Sequence, residues 1–170
     1  YKGIECYLWP QPNKTTCVEK PPYKAPTAKC GYDGLLNPLK RYWVETTKDR
    51  LYSANETEWP IIESDKKGWK FESTVGFIGN VGPYDTQCNR LLPLFRLYCR
   101  GRRNHLYSTK MSDFHIYTPG LATFNGDYIL EGIAGYCTSE PACGANVALN
   151  HFYSKKLKKS LYVTDEKEKN

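Results

Sequence analysis

Apolar and polar positions alternate along this chain in short runs, and the runs recur. Pro38-Leu39-Lys40-Arg41-Tyr42-Trp43 is followed, after a polar stretch, by Leu51-Tyr52-Ser53. The frame returns 55 residues later as Pro93-Leu94-Phe95-Arg96-Leu97-Tyr98 with Leu106-Tyr107-Ser108. It returns after another 55 as Ala148-Leu149-Asn150-His151-Phe152-Tyr153 with Leu161-Tyr162-Val163. Two aromatic-rich runs joined by polar residues predict a β-hairpin in each copy. A unit this small cannot bury its own apolar face, so the copies must pack on one another.

A second pair of strands is expected after each hairpin, because Trp69 to Phe77 lines up with Tyr128 to Tyr136. The third copy ends too soon to hold such a segment. Lys2-Gly3-Ile4-Glu5-Cys6-Tyr7 matches Glu131-Gly132-Ile133-Ala134-Gly135-Tyr136 at Gly, Ile and Tyr, so the N-terminal strand is expected to complete the third unit. The expected fold class is all-β with short helical turns, a single domain over 1–170. Its body is β-trefoil-like, made of three pseudo-symmetric units and closed by the N-terminal strand, which removes sheet edges. The units run over about 38–92, 93–147, and 148–170 completed by 1–8, with 9–37 as an insertion or connection. A three-bladed propeller-like ring is the rival. Ser53, with Glu56 three residues on, reads as the N-cap of a short helix, with Ser108 and Thr164 in the same role in the other copies.

The composition fits a β-and-turn protein, with 14 Tyr, 13 Gly, 11 Pro and one Met in 170 residues. Seven cysteines with no C-x-x-C pair point to disulfides rather than zinc. The expected pairs are Cys17 with Cys30, Cys88 with Cys99 and Cys137 with Cys143, leaving Cys6. Sequons at Asn13-Lys14-Thr15 and Asn55-Glu56-Thr57 make Asn13 and Asn55 candidate glycosylation sites. With the cysteines they read as a mature secreted chain whose signal peptide has been removed. No run of the roughly 20 apolar residues that span a bilayer is present.

The most complete unit carries Arg96-Leu97-Tyr98, then His105-Leu106-Tyr107-Ser108-Thr109, then Glu131-Gly132-Ile133-Ala134-Gly135-Tyr136. This resembles a family of secreted repeat domains of uncharacterised function with units of the form Y-R-x-Y, H-F-Y-T-T and E-G-[IV]-A-x-Y. The first copy departs from that pattern at Arg50 and Ser73, and the third at Ser160 and Val163. The resemblance implies an accessory or recognition module with a lectin-like role, and any activity that needs His105 would not be threefold.

Tyr52, Tyr107 and Tyr162 are read as core tyrosines with bonded hydroxyls rather than sugar platforms. Trp43, Tyr98 and Tyr153 remain platform candidates. Arg41, Arg96 and His151 share one frame position, where an inward Arg needs a carboxylate, and Glu72 and Glu131 are the expected partners. At a net charge of +6, one hairpin turn holds Arg100, Arg102 and Arg103 and another holds Lys155, Lys156, Lys158 and Lys159, whereas the first turn holds Glu45 and Asp49. Turns gathered at one end would form a basic rim suited to sulfated glycans or other polyanions. Catalytic, nucleotide-binding and calcium motifs are absent, so no enzyme, cofactor or metal is expected; Asp113 with Glu131 is only a nominal carboxylate pair.

The expected function is a secreted lectin-like module recognising extracellular glycan, with acidic or sulfated saccharide or a cell-surface polyanion as partner and no nucleic acid. Its ligand-binding candidates are the seven basic turn residues with Trp43, Tyr98, Tyr153 and His105. The alternatives are a protein-binding effector or inhibitor using the Cys17 to Cys30 loop, and a structural extracellular protein.

Overall fold

A computed structural model describes residues 1–11, 32, 34–110 and 128–169, the side chains of Tyr128, Glu166 and Lys169 excepted. Among the described residues the protein is mostly β with one short α-helix. The strands are β1 (Gly3–Leu8), β2 (Leu36–Val44), β3 (Asp49–Ser53), β4 (Lys70–Gly79), β5 (Leu91–Cys99), β6 (Asn104–Ser108), β7 (Tyr128–Thr138), β8 (Val147–Ser154) and β9 (Lys159–Val163). All the pairings between them are antiparallel.

Each repeat forms a hairpin, β2–β3, β5–β6 or β8–β9, flanked by one longer outer strand. The outer strands are β4 on β2, β7 on β5 and β1 on β8. Among the described residues each unit therefore has three strands, not four, because the expected second pair is one long strand. Each of these outer pairings shifts register, between Leu39 and Lys40, between Leu94 and Phe95, and between Ile4 and Cys6. Such bulges bend the pair. The sheet is not closed into a barrel: the backbone pairing of the outer strands with one another is limited to the single bridges Gly79–Tyr136, Tyr7–Thr138 and Trp9–Phe77.

The core repeats with the chain. Leu39, Leu94 and Leu149 are fully buried at equivalent positions, and so are Tyr52, Tyr107 and Tyr162. The inner strands β3, β6 and β9 each have a ladder partner on one side only, which leaves their other backbone edges facing the axis. The tyrosines satisfy those edges in a cycle. Tyr107 Oη accepts from the Tyr52 amide at 2.7 Å and donates to its carbonyl at 2.8 Å. Tyr162 Oη does the same for the Tyr107 backbone at 2.9 and 2.8 Å, and Tyr52 Oη does so for Tyr162 at 2.8 Å each way. The rings meet edge-on, with centroids 5.2–5.6 Å apart. The core reading of these tyrosines holds.

A second layer of contacts joins the outer strands. A Cβ on Gly76 would lie 2.9 Å from Leu8, and one on Gly135 would lie 2.8 Å from Ile78, so glycine makes room for a large apolar neighbour at both places. At the third equivalent contact a disulfide joins Cys6 to Cys137.

Cys88 pairs with Cys143, and Cys99 is a buried free thiol. Both expected pairings among these residues are thus corrected. Cys88 precedes β5 and Cys99 ends it, and a nine-residue strand at about 3.3 Å per residue holds its ends much too far apart for a bridge. Cys137 points inward to Cys6, so Cys143 turns to Cys88, its counterpart one repeat earlier, and among the described residues the free cysteine is Cys99 instead of Cys6. Cys17 and Cys30 lie outside the described residues. Two disulfides fit an oxidising compartment. No helix among the described residues is long and apolar enough to cross a membrane.

Helix α1 spans Trp59–Ser64 and follows Glu58. Ser53 is not its cap: the hydroxyl donates to the Glu58 carboxylate and accepts from the Asn55 amide. The third unit ends in a 3-10 turn at Glu166–Lys169. The stretch after Ser108 that would hold the second helical turn lies outside the described residues beyond Lys110.

Replacing Tyr107 with Phe keeps the ring but leaves the Tyr52 amide and carbonyl buried without their partner. Each orphaned group costs about 1–3 kcal/mol. Urea unfolding of Tyr107→Phe should show a loss of roughly 3 kcal/mol, and a loss within experimental error would contradict the closed cycle.

Candidate functional site

Directly across each hairpin from a core tyrosine stands the shared basic position: Arg41 opposite Tyr52, Arg96 opposite Tyr107 and His151 opposite Tyr162. Arg41 is buried beside its tyrosine and Arg96 and His151 are partly buried, so these groups need anionic or acceptor partners. Arg41 Nε meets Glu72 at 2.8 Å and its Nη2 meets Glu168 at 2.6 Å. Arg96 Nε meets Glu131 at 2.9 Å, and its two Nη atoms donate to Glu58 at 3.0 and 2.6 Å. Glu72 and Glu131 come from the same unit as their arginines, as the sequence implied. Glu168 and Glu58 come from the preceding unit around the axis, so each arginine stitches two units together. Asp113, in the same frame as those two, lies outside the described residues. In the third unit His151 Nε2 lies 2.9 Å from Ser160 Oγ, and the imidazole stacks on Tyr162 at 4.4 Å.

Symmetry breaks most sharply between the first two hairpins. Asp49, Asn104 and Lys159 occupy one frame position and differ in chemistry. Asp49 is buried and reaches across to the second hairpin, accepting from the His105 amide at 3.0 Å and lying 2.7 Å from its Nδ1. Glu131 lies 3.3 Å from His105 Nε2. Burial by itself lowers the His105 pKa, but the hydrogen bonds to Asp49 and Glu131 outweigh it and raise the pKa above the ordinary value. For Glu131 burial acts upward, and the contacts with His105 and Arg96 outweigh it and lower the pKa.

Over this imidazole lies a cleft of about 290 Å³. Tyr98 and Trp69 flank it, their rings 4.8 and 6.0 Å from the His105 ring. Thr47, Lys67 and Arg103 line its mouth. Its carboxylates are engaged with His105 and Arg96. Lys67 lies 3.9 Å from Asp65, and Arg103 has no ion pair among the described residues. The charge left to a ligand is therefore positive, beside two aromatic rings.

Of the residues singled out in the sequence, Tyr98, Arg103 and His105 come together here, with His105 as the bonded floor. Trp43 does not line the cleft; Arg50 sits 4.5 Å over its ring and Lys48 5.5 Å. Tyr153 is half-buried with Lys2 5.5 Å from its ring. Arg100, Arg103, Lys155, Lys156 and Lys158 are exposed in turns of neighbouring hairpins. Lys159 is different: its ammonium donates to the carbonyls of Arg102 and Arg103 and ties the third hairpin to the second turn. Asp49 is likewise removed from the first turn's surface by burial, and Glu45 pairs with Lys48, so that turn is less acidic than the sequence implies. Asn55 is exposed, and Asn13 lies outside the described residues. The sequence reading missed Trp69, Lys67 and Thr47 as cleft residues. The available signal was Asp49, whose replacement by Asn and Lys in the other copies marks a contact that only this unit makes.

A raised histidine pKa stabilises the fold in the protonated form. That contribution is fully present below the unfolded pKa of about 6.5 and is lost as pH rises through the higher folded value. The lowered Glu131 pKa contributes above its unfolded value and is lost as pH falls through the folded one. Stability measured by urea unfolding should therefore fall as pH climbs from 6 through the folded His105 pKa, and His105→Gln should remove most of that slope. An unchanged slope in the variant would contradict the assignment.

No curated protein and no solved structure matches the chain. Residues 17–118 and 38–170 match the domain of unknown function DUF5648, two overlapping matches over most of the length. The chain belongs to the DUF5648 family.

Proposed function

We propose that the protein is a secreted, lectin-like binding module that takes an acidic glycan, sulfated or carboxylated, in the cleft between the first two hairpins. One observation carries this reading: aromatic Trp69 and Tyr98 flank a cleft whose unpaired charge is the guanidinium of Arg103. An aromatic face suits the C–H face of a pyranose, and a guanidinium suits a carboxylate or sulfate in bidentate fashion. Lys67 adds a second cation at the mouth, and Thr47 offers a hydroxyl.

The exposed turn residues Arg100, Lys155, Lys156 and Lys158 extend the positive field to the neighbouring hairpin ends. Their contribution is long-range and salt-sensitive, since charges are screened over about 8 Å at physiological ionic strength. The β-trefoil-like reading of the body belongs to this proposal, as does secretion, which the disulfides support. In this reading the cleft binds its ligand without transforming it, because both ring nitrogens of His105 face carboxylates that fix the ring in place.

A glycan array probed at two salt concentrations tests the proposal. Binding to sulfated or uronic-acid glycans should weaken at high salt, while Trp69→Ala and Arg103→Ala should each reduce affinity by about tenfold, equivalent to ~1.4 kcal/mol. Lys155→Ala with Lys156→Ala should lower the salt dependence more than the affinity at high salt. A blank array together with capture of a single protein would overturn the glycan reading in favour of a protein-binding role.

A further inference from the structure

A second and larger cleft opens where β4 and β7 diverge beyond their single bridge at Gly79 and Tyr136. Its volume is about 410 Å³, within the ~300–1,000 Å³ range of small-ligand sites. Its lining combines Asn55, Glu56 and Asn80 with Ile133 and Tyr136. Ile133 is 48% exposed, on a strand whose β4-facing edge lacks a ladder beyond that bridge. An open apolar edge of this kind is a liability that folds usually cover.

Asn55 stands on the rim of this cleft as the first residue of an Asn-Glu-Thr sequon. Its Oδ1 accepts hydrogen bonds from the Thr57 amide at 3.0 Å and the Thr57 hydroxyl at 2.8 Å. That turn fixes the amide carbonyl, and Asn55 Nδ2 makes no hydrogen bond among the described residues. The other two copies carry Lys110 and Asp165 at this frame position, so neither has an acceptor there.

We infer that Asn55 carries an N-linked glycan whose inner sugars lie in this cleft and cover the open edge between β4 and β7. The co-reactant is a polyprenyl-pyrophosphate-linked oligosaccharide delivered by a secretory oligosaccharyltransferase. Nδ2 forms a bond to the anomeric carbon, the carbon–oxygen bond to pyrophosphate breaks, and polyprenyl pyrophosphate leaves with that bond's electron pair. The amide proton passes to a base on the transferase. Apolar C–H faces of the first sugar pack on Ile133, and the side chains of Glu56 and Asn80 supply polar contacts. This inference rests on the secretion proposed above but not on the glycan-binding reading, since the two clefts share no lining residue.

The test uses the full chain secreted from a eukaryotic host behind a signal sequence. Glycopeptide mapping should find Asn55 occupied and should distinguish it from Asn13. Asn55→Asp keeps the acceptor oxygen of the turn while removing the acceptor nitrogen, so the variant should fold and lack the glycan at this position. Peptide-N-glycosidase should release the Asn55 glycan at least tenfold more slowly from native than from denatured protein. The Ile133 methyl resonances should differ between the glycosylated protein and Asn55→Asp. An unoccupied Asn55 in the secreted protein would overturn the inference. So would equal release rates from native and denatured protein, or Ile133 resonances indifferent to the glycan.

Discussion

Three tyrosine hydroxyls hold this fold together at its axis. Each of the inner strands β3, β6 and β9 brings one backbone amide and one carbonyl to the centre with no strand to pair with, and each Tyr hydroxyl serves both groups of its neighbour. A shorter hydroxyl side chain would not reach, and Phe would fill the space but leave both groups orphaned. The cycle is also cooperative in geometry. Every unit supplies a hydroxyl to one neighbour and receives one from the other, so two units alone would leave an open end.

Around that axis the three interfaces are built alike and finished differently. Leu8 packs over Gly76 and Ile78 over Gly135, whereas the third contact is the Cys6–Cys137 disulfide. The carboxylates of Glu58 and Glu168 each cross from one unit to the next to hold Arg96 and Arg41. In the third unit the basic residue is His151, which is held by Ser160 and stacked on Tyr162, and the opposing outer-strand residue is Lys2 in the place of Glu131. The axis needs near-identity because the hydrogen bonds form one cycle. The periphery carries no such constraint, and there the copies drift apart in charge.

This division also decides what could be read from the chain. The 55-residue frame exposed the hairpins, the buried tyrosines, and the pairing of Arg41 and Arg96 with Glu72 and Glu131, because all of these lie within one unit or repeat identically. The disulfides were opaque for the opposite reason. Cys6–Cys137 and Cys88–Cys143 each join different units, and which units touch at which height depends on rotation about the axis, which local spacing does not encode. Ser53 misled in a similar way: it has the chemistry of a helix cap, but Glu58 must reach Arg96, and the serine hydroxyl is spent on holding that carboxylate. The motif E-G-[IV]-A-x-Y becomes intelligible in the same terms. Glu131 serves Arg96 and His105, Gly132 takes a φ of +139° beside the bulge, and Gly135 admits Ile78.

The frame position of Trp43, Tyr98 and Tyr153 shows how a repeated structural residue becomes a specific one. In the first unit Arg50 and Lys48 lie over the Trp43 ring, and in the third Lys2 lies near Tyr153. In the second unit the residue equivalent to Arg50 is His105, which Asp49 and Glu131 hold down from both sides. The shorter, anchored imidazole leaves Tyr98 lining a cleft with Trp69. The turn residues Lys48, Arg103 and Lys158 all take left-handed backbone conformations, with φ between +50° and +56°, at a cost of roughly 1 kcal/mol each that glycine would avoid. In the first turn that cation is consumed by Glu45; in the second, Arg103 stands over the cleft. The change from Arg50 to His105, read by the carboxylate of Asp49 one unit away, thus goes together with a recess and an available guanidinium at one of three equivalent surfaces.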